Sequence, residues 1–558
     1  MEQTARRAPA NTLLAVVLAG FAALVVAGYA LDLVNLPINP PVLAVVALGA
    51  ALTAYWRLHE PRIESGLAVA ADLIAVVLIV GGVFAYVLWL AWPSLLPIAD
   101  GPDLVHHLSL IHFIQRTHHL PRDPALTPYL GEMMTYTPGG HIIAAMAGEW
   151  FRIDALRLVH PLLALFVALK TAIVYAIARQ VLPADARTPL HAAAAALLLV
   201  VPIEYFLGAS VKYGFFAQVI AETFAAGTLL ALVWWVERPD RARLVLCGLC
   251  GAASFLAWPV FLPAVVAALL IALALRRASF TERAIDVVVA CLPIGAVVAV
   301  HTLSHMRGAG LLKTGGFVTV PSLAVFGWGF LALGAIGAVL GFREPRARVV
   351  LLFAACVLGE MAALAALDAY SGSTMFYLPY KMVYLVIPAG AVLGAFALAQ
   401  VSAVAVRRWR AIAPLALCFP IVVAASLLKG RVPLRPLRSP ISEAVYEAGR
   451  WTHDNLPAAC VDYFSQHWLT GYWLHVDVLG NARVSPRTRA ESFEFRDTVA
   501  KWIEHRGLAY AIVEDLSAVP HEVREEMALL RQFGAAAVVR ARRPVGCDDG
   551  SVSIEHVR

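Results

Sequence analysis

Charge is what this 558-residue chain has least of: Asp, Glu, Lys and Arg make up 15% of it, against 60% hydrophobic residues. A soluble protein of that length needs far more polar surface, so the composition excludes that class and implies a polytopic membrane protein. The net charge of +6 is small, and the arginines fall between apolar segments without forming a patch. A nucleic-acid footprint is therefore excluded. The part of the chain after Pro440 has no glycine-rich phosphate loop and no nucleotide fingerprint. Cysteine is scarce, with seven in the chain. Cys247 and Cys250 form a C-x-x-C inside an apolar run, with no histidine or second pair nearby, and read as small apolar filler.

What the chain does have is long apolar runs. About thirteen segments can be drawn, at 10–32, 39–58, 66–92, 155–180, 189–207, 214–236, 243–258, 260–276, 283–303, 322–342, 347–368, 379–405 and 411–428. Most are long enough for a hydrocarbon core of about 30 Å. "MEQTARRAPA" has the charged start of a signal peptide but no small-residue cleavage site follows, so the first segment reads as a retained helix. Arginine-rich loops such as "RLHEPR", "ERPDRAR", "RRASFTER" and "FREPRAR" alternate with arginine-poor ones. The positive-inside rule then puts the N-terminus in the cytoplasm and the C-terminal end outside. The basic linker "KGRVPLRPLRSP" is the exception to that pattern.

After Pro440 the composition changes. "SEAVYEAGRWTHDNLP", "TRAESFEFRDTVAKWIEHRG" and "PHEVREEMALLRQFG" read as helices, and "AYAIVED" and "AAAVVRA" as strands. The expected fold class is thus mainly α. Residues 1–430 form a transmembrane helical bundle, and residues 431–558 a small α/β extracytoplasmic domain. Cys460 and Cys547 are the two cysteines of that domain, and an oxidising compartment allows them to pair.

The segment 93–154 is the longest external connection, and its apolar and aromatic content argues for order. From Pro102 to Gln115, Leu104, Leu108 and Ile111 recur at helical spacing, with Asp103, His106 and His107 on another face. This predicts an amphipathic helix in the membrane interface, its polar face toward water and its apolar face toward lipid. A bland reading competes, in which Asp100 and Asp103 cap the helix and the histidines are ordinary interfacial residues. A metal site built from His106, His107, His112, His118 or His119 lacks any recognised zinc spacing.

Leu120–Pro121 and the run Tyr136–Pro138–His141 continue the loop, and "AYSGSTMFYLPYK" closes a later one. With Asp103 and His106 in a D-x-x-H context, these residues resemble the GT-C superfamily of polytopic glycosyltransferases that use polyprenyl-phosphate-linked sugars. The resemblance implies a catalytic aspartate in the external loop, a Tyr-Lys element near the lipid phosphate, and an appended C-terminal domain. It departs from the familiar forms in placing the loop after the third span and in lacking a directly following acidic dyad.

The chemistry fits on its own terms. Phosphate leaves a polyprenyl-phosphate sugar without needing a proton, so a single carboxylate serves as base toward the acceptor hydroxyl, whereas a hydrolase ordinarily uses two. Asp103 is the expected base, and His106 orients it or binds the acceptor. Asp100, His107, Tyr136, His141, Lys212, Tyr213, Arg307, Tyr380 and Lys381 are the expected substrate-binding residues. Lys313 is a further external cation, and Lys381 is the preferred phosphate ligand. No metal ligand is assigned, and a divalent ion stays open as an auxiliary. The expected partners are the lipid-linked donor, a glycan, lipid or protein acceptor, and the bilayer, with no nucleic acid. The expected location is the cell (inner) membrane. Two alternatives stand beside the enzyme. One is a transporter or flippase of envelope precursors, favoured by the Pro259 break with Glu222 and Glu360. The other is a non-catalytic envelope-assembly component.

Overall fold

The computed structural model describes residues 9–59, 66–99, 101–182, 188–304, 323–372, 376–408, 413–484 and 493–543. Each apolar segment forms helix. The first three are α1 (Pro9–Leu33), α2 (Pro40–Leu58) and α3 (Gly66–Leu90). The external segment contributes α4 (Asp103–Thr117) and α5 (Gly139–Phe151). The bundle continues with α6 (Ala155–Val181), α7 (Thr188–Val200), α8 (Phe216–Glu237), α9 (Arg241–Ala257), α10 (Leu262–Leu275) and α11 (Phe280–Ser304). It ends with α12 (Trp328–Gly341), α13 (Pro345–Tyr370), α14 (Tyr377–Arg408) and α15 (Ala413–Leu428). Among the described residues, eight helices (α1, α2, α3, α6, α8, α11, α13 and α14) are long and apolar enough to cross a membrane. Helices α7, α10, α12 and α15 include shorter apolar stretches. Local chemistry sets the ends: the Asn39 side chain accepts from the Val42 amide, and Pro40 occupies the first turn of α2, where its missing N–H costs nothing.

Burial separates the centre from the rim. In α6, α8 and α14 the most apolar stretch is 89%, 94% and 83% buried, whereas in α2 and α3 it is 11% and 17%. Several of the bundle's buried charges are paired with one another or with backbone. Lys170 of α6 bonds Glu222 of α8, whose other oxygen accepts from Gln218. Arg179 of α6 grips Asp72 of α3 with two bonds of 2.7 Å, and the Tyr175 hydroxyl donates to the same carboxylate at 2.8 Å. Glu360 of α13 accepts from the Ala264 amide at the start of α10. Unpaired, any of these charges would be costly in an apolar interior.

Beyond α15 the chain runs back along the end of α3. The Leu437 amide donates to the Leu90 carbonyl, and Tyr86 donates to the Pro433 carbonyl. The C-terminal segment follows, with α16 (Glu443–Asn455), capped by Ser442, and α17 (Phe495–Ile503). Its strands are β1 (Val461–Phe464), β2 (Tyr510–Val513), β3 (Met527–Phe533) and β4 (Ala536–Ala541). They form one sheet in the order β1-β2-β4-β3, with β1 and β2 parallel and the other pairs antiparallel. The stretch expected as a third helix is corrected here. Only His521–Glu525 is helical, and Met527–Phe533 is a strand that turns back through Gly534 (φ +59°) to pair with β4. Its residues have good helix propensity, and the ladder to β4 overrides it. Strand β1 was not expected either.

Cys460 is disulfide-bonded, whereas Cys247, Cys250, Cys291, Cys356 and Cys418 are free thiols. Its expected partner, Cys547, lies outside the described residues. Alkylation of the unreduced, denatured chain followed by peptide mass spectrometry should leave Cys460 unmodified until reductant is added. A Cys460 alkylated at the first step contradicts the bond.

Candidate active site

The site is assembled where α4 meets the ends of α5, α8 and α14. Asp103 is the first residue of α4, where the helix dipole favours a negative charge. Its side chain is 46% exposed, while His107, one turn on, is 2% exposed. Asp103 Oδ2 lies 3.5 Å from His107 Nε2. The other nitrogen of that ring, Nδ1, lies 2.9 Å from His141 Nε2. Tyr136 meets both imidazoles edge-on, with centroids 5.2 and 5.7 Å away, and Phe216 closes the far side. The two glycines of "TPGGH" make this approach feasible. A Cβ on Gly139 would stand 2.9 Å from the Leu256 carbonyl, and one on Gly140 would stand 3.0 Å from Ile220. With hydrogens there, α5 starts flush against α8 and α9 and sets His141 behind His107.

Burial opposes the charge on Asp103, but the hydrogen bond and charge of His107, with the charges of Lys381 and His106, outweigh it and hold the carboxyl below its ordinary range. Burial and the Asp103 charge keep the Tyr136 phenol protonated, its pKa well above the ordinary value. Burial, then the neighbouring His107, hold His141 neutral.

Helix α4 differs from the expected interfacial helix. Residues 104–111 and Ile114 are all buried, on the histidine face as well as the leucine face. The C-terminal segment covers the polar face at His106 and His112. His106 bonds Glu132 through Nδ1 at 2.6 Å and the Tyr472 hydroxyl through Nε2 at 2.9 Å. Glu132 in turn accepts from Arg483 at 2.7 Å, and these partners pull its carboxyl down to about 2 against the effect of burial. His112 pairs with Asp477 at 3.1 Å. His106 therefore spends one ring nitrogen on Glu132 of the same loop and the other on Tyr472 of the C-terminal segment, and the histidine whose ring nitrogen lies 3.5 Å from Asp103 is His107. Helix α4 turns position i+4, His107, toward the Asp103 carboxylate and position i+3, His106, toward Glu132.

Lys381, in the first turns of α14, is 1% exposed. Its ammonium stands 2.7 Å from the centre of the Phe215 ring, 5.0 Å from Tyr377 and 5.9 Å from Trp258 and Tyr384. This is a buried cation held by aromatic faces. Tyr213 stacks on Phe215 at 4.9 Å, and Gly214 (φ +66°) lets this loop touch Leu104 and Ala99 beside the start of α4. Lys212 lies over Tyr213 and 3.9 Å from Glu204, both side chains about half exposed. Tyr380 is half-buried and acts on Tyr205. Asp100, Arg307 and Lys313 lie outside the described residues.

The histidines considered for a metal diverge: His119 donates to Asp32, as do the Leu120 amide and Arg122, while His106, His107 and His112 have the partners given above. Among the described residues no group of three His, Cys, Asp or Glu side chains is placed to hold a metal ion. Sequence reasoning missed Asp32, Glu132, Phe215, Tyr472, Asp477 and Arg483. Phe215 carried one signal, an aromatic pair directly after Lys212-Tyr213-Gly214. The others become visible only when distant segments meet.

No family model and no curated protein matches the sequence. In fold the chain is similar to ArnT from Cupriavidus metallidurans bound to undecaprenyl phosphate, at 13% identity over 84% of this chain and 97% of that one, with a TM-score of 0.46. It is also similar to the Archaeoglobus fulgidus oligosaccharyltransferase in the apo form, at 14% identity over 79% and 69%, with a TM-score of 0.49. The oligosaccharyltransferase AglB of the same organism, in complex with an inhibitory peptide and a dolichol-phosphate, gives 14% identity, the same coverage and a TM-score of 0.43.

Proposed function

We propose that this chain is a membrane glycosyltransferase that moves a sugar from a polyprenyl-phosphate donor to an acceptor hydroxyl, with Asp103 as general base. One observation carries the reading: a half-exposed carboxylate, held ionised, shares a site with a buried lysine set among aromatic faces. Asp103 takes the proton of the acceptor hydroxyl as its oxygen attacks the anomeric carbon. The bond from that carbon to the phosphate oxygen breaks, and its electron pair stays on the leaving phosphate. Lys381 supplies the positive charge that phosphate requires, in a low-dielectric setting where one charge counts for more. Tyr213, stacked on Phe215, and Tyr377, 5.0 Å from the ammonium, flank it. An isoprenoid donor stays in the bilayer, so its reacting carbon sits at headgroup depth, which suits a base at the mouth of the bundle.

A transporter gains little from this arrangement. Glu222 is satisfied by Lys170 and Gln218, and Glu360 by a backbone amide, so neither mid-span carboxylate is poised to bind cargo. The acceptor side of the site would be shaped by the C-terminal segment, which reaches α4 through Tyr472 and Asp477. The test is release of polyprenyl phosphate from a panel of radiolabelled polyprenyl-phosphate hexoses and pentoses, by the full chain in nanodiscs. Turnover of one donor in the presence of membrane glycolipid extract is expected. No turnover of any donor by the folded protein rejects the reading.

The site and the C-terminal segment lie on one side of the bundle, and we place that side outside the cytoplasm on the arginine pattern of the opposite loops. A reporter active only outside the cytoplasm, fused after Arg558, should be active. A silent reporter on a well-expressed fusion contradicts the orientation.

A further inference from the structure

The basic linker 429–440, the exception to the arginine pattern of the sequence, follows α15. Helix α15 ends at Leu428, and Gly430 (φ +73°) turns the chain there in a conformation that favours glycine. Beyond it Pro433, Pro436 and Pro440 stand in the way of a helix, and the segment lies without regular structure along the end of α3. The bonds to Leu90 and from Tyr86 pin it there. Ser439 donates to the Pro97 carbonyl at 2.7 Å, which ties the linker to the root of the external segment. Irregular backbone facing lipid is not tolerated at hydrocarbon depth, so this level of the bundle belongs in the headgroup region. Trp89 and Trp92, 38% and 63% exposed at the end of α3, mark the same level, as interfacial tryptophans do.

The four cations of the linker divide. Arg431 turns inward, to the Val201 and Val325 carbonyls. Lys429, Arg435 and Arg438 are exposed, and none has a hydrogen bond or ion pair among the described residues. The neighbouring sequence supplies no counter-charge either: no Asp or Glu occurs between Asp368 and Glu443, or from Leu73 to Ala99 along α3 and its continuation. Leu434 is 86% exposed, beside Arg435. Three unpaired cations, an uncovered leucine and two tryptophans at one level of the bundle suit a partner that is anionic at its surface and apolar beneath.

We infer that the linker 429–440 and the end of α3 form a docking surface for anionic phospholipid, whose phosphates meet Lys429, Arg435 and Arg438 while Leu434 enters the acyl boundary. The occupant is the bilayer's own lipid, because the surface continues an apolar helix, α3, that is only 17% buried by the rest of the chain. This holds whichever way the bundle faces and whatever reaction it catalyses. A basic residue at an anionic membrane surface contributes roughly fivefold in affinity, so three together select strongly for anionic over zwitterionic lipid.

The test reads the lipid at one position. The full chain, with the photo-crosslinker p-benzoylphenylalanine in place of Leu434, is held in nanodiscs of phosphatidylcholine containing a minority of phosphatidylglycerol. After irradiation, mass spectrometry identifies what is bonded to that residue. Phosphatidylglycerol should be captured at roughly fivefold or more above its share of the bilayer. With Lys429→Gln, Arg435→Gln and Arg438→Gln added, lipid should still be captured, but at close to the bilayer's own ratio. High salt should lower the enrichment toward the same value, since the Debye length shrinks to about 3 Å at 1 M. The salt series reads the same charge effect in the unsubstituted cations, and decides the matter alone if the triple variant does not fold. Capture at the bilayer's ratio with all three cations present overturns the inference. So does an enrichment unmoved by salt or by the substitutions, capture of protein in place of lipid, or no capture at all.

Discussion

Asp103→Asn is expected to lower turnover by roughly 10²–10⁴-fold, the usual worth of a positioned general base. The change keeps the size and planarity of the side chain and removes the lone pair that receives the acceptor proton. Because the side chain is half exposed and Asn keeps its shape, any loss of stability should be small, about 1 kcal/mol or less for the charge at the start of α4. Lys381→Ala should behave differently. It removes the cation that meets the donor phosphate in both ground and transition states, so KM for the donor should rise more than kcat falls. Steady-state kinetics on the donor identified by the panel separate the two patterns. Full activity in Asp103→Asn would remove the base from the mechanism. A Lys381→Ala enzyme with unchanged KM and kcat would remove the phosphate ligand.

The second large effect concerns stability. Asp72→Ala should destabilise the bundle by about 3–5 kcal/mol, because it leaves Arg179 buried without its counter-charge. Both oxygens of Asp72 are engaged by Arg179 and Tyr175, Asp72 is fully buried, and the pair ties a rim helix, α3, to the central α6. Removing both charges is a separate case: Asp72→Leu with Arg179→Met should recover most of the loss, since an apolar pair avoids the desolvation cost altogether. Thermal unfolding of the purified variants in one detergent checks both. Equal melting temperatures for the wild type and Asp72→Ala would show that water or lipid headgroups reach the pair and that it is not a membrane-depth clamp.

The bundle was legible because an apolar run long enough to cross a bilayer has few other outcomes: its backbone must bond to itself, and helix does that within one segment. The helix starting near Asp103 was legible for the same local reason, as were α16 and strands β2 and β4. What could not be read was which surfaces would be covered. The histidine face of α4 reads as solvated because the sequence does not say which distant residues will meet it, and part of its cover comes from outside the loop. Its partners, Tyr472 for His106 and Asp477 for His112, come from a segment beyond all the membrane helices. The choice between His106 and His107 as neighbour to Asp103 has the same origin, since i+3 and i+4 are equivalent in sequence and differ only in what they meet. Strand β3 is a case of pairing overriding propensity. The Lys381 cage was half legible: the Tyr-Lys end of the loop pointed to it, but Phe215 and Trp258 arrive from other helices.

The central claim is that a lipid phosphate sits between Asp103 and Lys381, and a structure of the full chain in nanodiscs with polyprenyl phosphate bound tests it most directly. The account predicts phosphate density in contact with the Lys381 ammonium, the isoprenoid running down into the bundle, and the Asp103 carboxylate open on the side where a sugar would be attached. Phosphate density elsewhere, with Lys381 still enclosed by Phe215, Tyr377, Trp258 and Tyr384, would contradict it.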